Sequence, residues 1–296
     1  MKIHIKFSLG FIILLWGISL KSQVTIADGL PGCLPVVNQE GVACTVGGVG
    51  TTFFGLNAMN QFVVQNVDGI NCCDPSPGGD GGAYFEFGLL DISNYSNVTI
   101  NLGYSASNTA YEDDSPGAPL FGCTGTNPPD NSHDQIIFTY SIDGGPEVQS
   151  LYAHGTSDSD FTGTWNAGPL NGSTLTIKIY ASNKASAEIF YFQNLLVTGT
   201  LILSAGPDKS GCVGDPVDLD GVGTGNWTGG LGVFGDPTMA MTDYTPDASE
   251  LNSTVTLTFT GAPAYTGCPA PSDQMNIVVN PLQDPSFSIS DFCAPT

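Results

Sequence analysis

Val98, Ile100, Leu102 and Tyr104 alternate with Thr99, Asn101 and Gly103. Successive side chains of an extended strand point to opposite faces, so this rhythm makes one dry face and one wet face. Ile136, Phe138, Tyr140 and Ile142 repeat it, and Asp143-Gly144-Gly145 then supplies a turn. Val148 to Ala153 reads as the returning strand of a hairpin. Leu175, Ile177 and Ile179 form another set after the turn at Asn171-Gly172, and Glu188 to Thr198 is a long aromatic-rich strand. Residues 51–56, 61–65 and 83–87 are shorter candidates. Helical periodicity is almost absent, and 38 Gly with 20 Pro supply the breaks between strands. The reading is all-β: an N-terminal jelly-roll-like β-sandwich followed by an immunoglobulin-like β-sandwich.

Near Ser204 the character changes. Ser204-Ala205-Gly206-Pro207-Asp208 reads as a linker. Beyond it Val217 and Leu219 alternate with aspartates, Trp227 takes the place of a core tryptophan, and Val255, Leu257 and Phe259 alternate with threonines. Met275, Ile277 and Val279 close a unit with room for about seven short strands. The expected organisation is residues 1–22 as a signal peptide, 23–202 as the first sandwich, 203–280 as the second, and 281–296 as the truncated start of a further repeat.

The first segment carries that expectation through Lys2 and Lys6, followed by the charge-free apolar stretch Phe7 to Leu20. Such a stretch is short for a bilayer span and fits a secretory signal. No later segment is long and apolar enough to insert the mature chain into a membrane. Eight cysteines without a CxxC pair fit disulfides in an oxidising compartment better than a zinc site. Cys212 and Cys268 are the pair expected to bridge the second sandwich, and the pairing among Cys33, Cys44, Cys72, Cys73 and Cys123 stays open.

Charge excludes several functions. The chain has 28 Asp plus Glu against 6 Lys plus Arg, a formal charge of −22. Nucleic-acid binding needs a cationic face, and an anionic membrane surface repels such a chain. Most of the acids are aspartates, whose short carboxylates in loops suit calcium. Glu112, Asp113 and Asp114, with Asp130 and Asp134 at the end of the same long loop, are the calcium candidates. Asp158 and Asp160 form a separate acidic group.

No GxSxG elbow or HExxH motif is present. His133 and His154 are the only histidines beyond the first segment, and neither lies in a catalytic motif. The chain is therefore expected to be no enzyme. Exposed aromatic rings serve for stacking on sugars. Tyr95 in "SNYSN", Tyr111 beside Glu112, and Trp165 in "GTWNAG" lie in loop-like sequence and are the ligand-binding candidates.

The blocks "AGPDKSGCVGDPVDLDG", "GNWTGGLGVF", "YTPDASELNSTVTLTFTG" and "GCPAPSDQMNIVVNP" arrive in order over residues 203–280. Together they resemble the PKD-like immunoglobulin-fold repeat of large secreted, adhesin-like proteins of the Bacteroidetes. "PLQDPSFSISDFCAPT" is similar to the opening of another such repeat. "LLDISNYSNVTINLGYSA", "DQIIFTYSIDGG", "LNGSTLTIKIYASN" and "FYFQNLLVTG" are similar, more loosely, to jelly-roll modules that precede these repeats. Relatives often carry Asp where Gln193 stands. The resemblance implies type IX export, a secreted or cell-surface location, and an N-terminal fragment that continues into further repeats.

The expected function is non-catalytic adhesion or binding of an extracellular glycan or surface protein, with the repeat as spacer. The alternative is the carbohydrate-binding module region of a larger secreted polysaccharide-degrading enzyme.

Overall fold

The computed structural model describes residues 23–40, 53–65, 83–107, 134–183 and 187–282. Among them the helical pieces are two 3-10 turns, Asp158–Phe161 and Ala248–Glu250. Everything else regular is β-strand.

The first sandwich contains β1 (Gln23–Gly29), β2 (Val36–Glu40), β3 (Phe53–Leu56), β4 (Phe62–Gln65), β5 (Ala83–Phe87) and β6 (Leu90–Asp91). It continues with β7 (Tyr95–Ser107), β8 (Gln135–Ile142), β9 (Val148–His154), β10 (Gly163–Leu170), β11 (Thr174–Ser182) and β12 (Ile189–Leu201). One sheet runs β10-β7-β12-β4-β3, with β1 pairing along β12. The other runs β2-β5-β11-β8-β9, with β6 pairing to β11. Neighbours in both sheets pair antiparallel, as in a jelly roll.

The alternation seen in the sequence decides which face is dry. On β7, Val98, Ile100 and Leu102 are buried, while on β11 Leu175, Ile177 and Ile179 are buried. Between the sheets lie Phe62, Phe85, Phe87, Phe138, Trp165, Phe190 and Phe192. Each large apolar side chain removed from water contributes about 1.5–3 kcal/mol before entropy is counted. β12 changes parity midway. Phe190 and Phe192 face inward, and then Leu195 and Val197 do. The pairing register of β12 with β7 shifts between Gln193 and Leu196, and Asn194 there has φ 55°. The extra residue of the bulge keeps apolar side chains inward on both halves of the strand.

The second sandwich has a four-stranded sheet β13-β19-β18-β15 facing a three-stranded sheet β14-β17-β16. Its strands are β13 (Lys209–Cys212), β14 (Val217–Asp220), β15 (Asn226–Gly229), β16 (Val233–Phe234), β17 (Met241–Thr245), β18 (Thr254–Thr260) and β19 (Ser272–Asn280). Trp227 is the buried tryptophan of this core, and its indole N–H donates to the Ala240 carbonyl. The Gly229–Gly232 turn is held against Tyr244. Gly230 has φ 68°, and a Cβ there would collide with the Tyr244 hydroxyl, so glycine is required on both counts.

The stretch read as a linker is packed. Leu203 and Ala205 are buried in the second core, and the Asp273 carboxylate accepts from the Ser204 hydroxyl and the Ala205 N–H. The two sandwiches are also joined directly. Asn94, 6% exposed, donates to the Thr224 carbonyl and accepts from the Thr224 N–H. The Asp91 N–H donates to the Ala264 carbonyl. Ala264 and Cys268, which precede β19, belong to the core of the first sandwich.

The disulfide expected between Cys212 and Cys268 is corrected here. Cys268 bonds to Cys33, 235 residues away in sequence, and Cys212 is a free thiol. The reason lies in β19. Cys212 pairs beside Asn280 at the end of that strand, whereas Cys268 precedes its start. Nine strand residues separate the two positions by about 27 Å, while a disulfide needs Cα atoms within about 7 Å.

Candidate functional site

The most elaborate polar arrangement among the described residues lies on the outer face of the β2-β5-β11-β8-β9 sheet. On β11, Lys178 and Tyr180 occupy the positions opposite the buried isoleucines. Register places Tyr180 beside Tyr84 of β5 and Ile137 of β8, and Ile137 beside Tyr152 of β9. Three tyrosines therefore stand in one row across four strands, a span of about 14 Å. The next row holds Asn38, Glu86, Lys178 and Thr139.

Lys178 is the hub. Its ammonium lies 4.7 Å from the Tyr84 ring centroid and 5.8 Å from that of Tyr180. Those two rings are 5.5 Å apart and inclined at 47°. The ammonium pairs with Glu147 at 2.8 Å and with Glu86 at 3.9 Å. Glu147, from the β8–β9 turn, also accepts from the Tyr180 hydroxyl at 2.9 Å and from the Thr139 hydroxyl at 3.2 Å. Asn38 donates to the Tyr84 hydroxyl. Partial burial pushes the Glu147 carboxyl up. Hydrogen bonds from Lys178 and Tyr180, the Lys178 charge and the Thr139 hydroxyl outweigh it, so the carboxyl stays below its usual range. Beside this cluster a depression of about 160 Å³ is lined by Thr139, Ser141, Gly145, Glu147, Thr176 and Lys178. Tyr152 and His154 stack at 4.5 Å on the edge strand.

The arrangement offers ring edges and faces, one cation, two carboxylates and several hydroxyls and amides in a fixed array. Such a surface accepts and donates hydrogen bonds to vicinal hydroxyls and provides aromatic contact for C–H faces. A carboxyl held below its usual range is an acceptor and does not serve as a general acid, which needs a raised value.

The aromatic candidates from sequence fall elsewhere. Trp165 is 1% exposed, lies on β10, stacks near Phe138 at 5.2 Å, and donates to the Ser150 hydroxyl. Tyr95 is 5% exposed at the start of β7. Both are core residues: the glycines around Trp165 belong to β10, and Tyr95 opens β7 directly after the turn at Ser93-Asn94, with Ser96 and Asn97 continuing the strand. Tyr111, Glu112, Asp113, Asp114 and Asp130 lie outside the described residues. Asp134 is fully buried where the chain enters β8. Among the described residues no group of three or more His, Cys, Asp or Glu is placed to hold a metal. Asp160 is committed locally: it accepts from the Ser157 hydroxyl and from the Ser157 and Thr156 N–H groups, which hold its carboxyl low. Gln193 accepts from the amide of Gln61, which precedes the neighbouring strand β4 of the same sheet. Lys178, Tyr84 and Glu147 were passed over in the sequence because each looks like an ordinary strand or turn residue until pairing aligns them.

No family model and no curated protein matches the chain. Several solved structures are similar at low level. One is the M60 catalytic domain with the CBM51-1 and CBM51-2 domains from Clostridium perfringens ZmpB, at 11% identity and TM-score 0.27 over 83% of this chain and 23% of that one. A family 16 carbohydrate-binding module has 15% identity and TM-score 0.23 over 46% of this chain and 74% of that one. The CBM22-1-GH10 modules of the Clostridium thermocellum xylanase 10B have 8% identity and TM-score 0.21 over 47% of this chain and 24% of that one. None reaches a TM-score of 0.5, so the sandwich assignment rests on the strand order described above. The chain spans about a quarter of the length of the first and third of these proteins.

Proposed function

We propose that this chain is a non-catalytic, secreted glycan-binding region, and that saccharide lies across the outer face of the β2-β5-β11-β8-β9 sheet. The observation that supports this reading is the Tyr84–Lys178–Tyr180 array, braced by Glu86 and Glu147. Bracing matters because a lysine held by two carboxylates and two rings loses little further freedom on binding. A disulfide between the sandwiches fits an oxidising compartment outside the cell. The region then serves as the binding part of a larger secreted protein, such as a polysaccharide-degrading enzyme. A glycan array probed with the full chain, followed by calorimetry on each hit, tests this. Lys178→Ala and Tyr84→Ala are each expected to weaken binding at least tenfold, while binding to no glycan overturns the reading.

A second reading, adhesion with the second sandwich as spacer, is favoured by one observation. The sandwiches are fastened by the Cys33–Cys268 bond and the reciprocal Asn94–Thr224 hydrogen bonds, as a stiff presenting rod requires.

A further inference from the structure

The opposite sheet of the first sandwich has a different chemistry. In a chain of formal charge −22, strands β3, β4, β7, β10 and β12 contain no Asp, Glu, Lys or Arg. The sheet's sixth strand, β1, carries one acid, the exposed Asp28 beside Leu196 in register, whose carboxylate accepts from the Cys33 N–H. Outward acidic residues are the simplest way to keep a sheet face solvated, and the facing sheet uses them. Elsewhere on this face the wet positions of the central rows carry amides and hydroxyls instead.

These groups are ordered in rows. Asn166 of β10, Asn101 of β7 and Leu196 of β12 are register neighbours, and Thr99 and Thr198 form the next row. Asn101 donates to Asn166 at 2.7 Å. Thr198 donates to Gln23 at 2.9 Å, so in the 2.8 Å Thr99–Thr198 contact the donor is Thr99. The Asn101–Asn166 bond consumes one Asn101 hydrogen, and no described residue donates to the Asn101 carbonyl oxygen. Both asparagines are exposed. Leu196, 38% exposed, supplies one apolar contact in the middle of the polar rows.

Backbone irregularities shape this face into a trough. β7 is flanked by a register break on each side, between Ala167 and Leu170 of β10 and between Gln193 and Leu196 of β12. Bulges re-aim side chains and recur beside binding sites. Between them lies a depression of about 480 Å³, lined by Thr99, Asn101, Asn166, Gly168, Leu196 and Thr198.

We propose that this trough is a second binding site, for a neutral polyhydroxylated chain such as an uncharged polysaccharide. Pre-paired amides and hydroxyls present fixed donors and acceptors to sugar hydroxyls, and none of the residues lining the depression is a carboxylate that binding would have to desolvate. A polyanionic glycan meets no cation here, and it meets one carboxylate, Asp28, beside Leu196. The site is separate from the tyrosine–lysine face, and its chemistry disfavours anionic sugars.

The test uses the full chain labelled with 15N and titrated with cellohexaose, mannohexaose, laminarihexaose and, as the anionic contrast, oligogalacturonate. The side-chain amide signals of Asn101 and Asn166 are expected to shift with at least one neutral oligosaccharide and not with oligogalacturonate. Asn101→Asp and Asn166→Asp are nearly isosteric at exposed positions. Each is expected to weaken that binding at least tenfold with the melting temperature held, while Lys178→Ala leaves it unchanged. Unmoved amide signals with all three neutral probes overturn the proposal, as does unaltered affinity in both Asp variants. The amide signals of the unsubstituted protein give a readout that does not depend on any variant folding. Loss of the neutral-oligosaccharide shifts in Lys178→Ala, with both Asp variants unaffected, also overturns the proposal and assigns that binding to the tyrosine–lysine face.

Discussion

The Tyr244 hydroxyl lies 2.8 Å from each carboxylate oxygen of Glu250, a residue only 5% exposed. Glu250 also accepts from the Leu231 and Asp247 N–H groups, and the Tyr244 oxygen accepts from Gly232 N–H. One buried carboxylate thus ties the Gly229–Gly232 turn, β17 and the short turn before β18 together. Removing one partner strands the other in a dry place. Tyr244→Phe is expected to destabilise by about 1–3 kcal/mol, and Glu250→Ala by more. Denaturant unfolding measures this, and a midpoint unmoved in both variants contradicts the bracing role.

Alkaline pH acts on the same pair. Burial pushes the Tyr244 hydroxyl up to about 12, with the Glu250 charge adding to it against the Gly232 N–H. The folded state therefore keeps a proton that the unfolded state releases near pH 10. Stability from this group is full below pH 10 and declines as pH rises toward 12, by an amount on the order of 2–3 kcal/mol. Tyr244→Phe should flatten that decline. An identical alkaline slope in wild type and variant counts against the assignment.

Acid acts through carboxylates of the opposite kind, Glu147 and four aspartates. Asp143 accepts from the Thr174 and Ser173 N–H groups, which hold its carboxyl low. Asp160, Asp236 and Asp247 are likewise held low by the Ser157, Thr238 and Ser249 side chains and N–H groups. Their contribution is present above the ordinary carboxyl range and fades as pH falls through the lowered values. Asp143→Asn should be less stable than wild type at pH 7 and equal to it near pH 2. A deficit that persists unchanged at pH 2 would mean the loss is steric.

Opening the Cys33–Cys268 bond should cost about 5 kcal/mol in the chain-entropy model, given the 235-residue separation. Cys33→Ser and Cys268→Ser should also loosen the seat of Ala264 in the first core. Hydrogen exchange of the Asp91 amide, which donates to Ala264, is the local readout. Protection as strong in the variants as in wild type removes the coupling.

Much of the architecture is legible from two-residue alternation. Residues 83–87 coincide with β5, and the hairpin of β8 and β9 with its Asp143-Gly144 turn stands where expected. Alternation fails where the backbone departs from it. Gly163–Leu170 was hidden by three glycine or proline positions and a register break, so Trp165 was taken for a loop residue. The bulge at Asn194 obscured the parity of β12 in the same way. The candidate site was not legible, because Tyr84, Glu147 and Lys178 are distant in sequence and meet only through cross-strand register. The disulfide was misassigned for a related reason: proximity to the ends of one module says nothing about which end of β19 a residue occupies.

The same disulfide redirects mechanical load. Tension applied between the segment before Cys33 and the segment after Cys268 crosses through two sulfur atoms. The polypeptide between them stays off the covalent line of force. If both sandwiches come apart under pull, the enclosed 235-residue span adds no length, withholding roughly 800 Å of extension that an open chain would release.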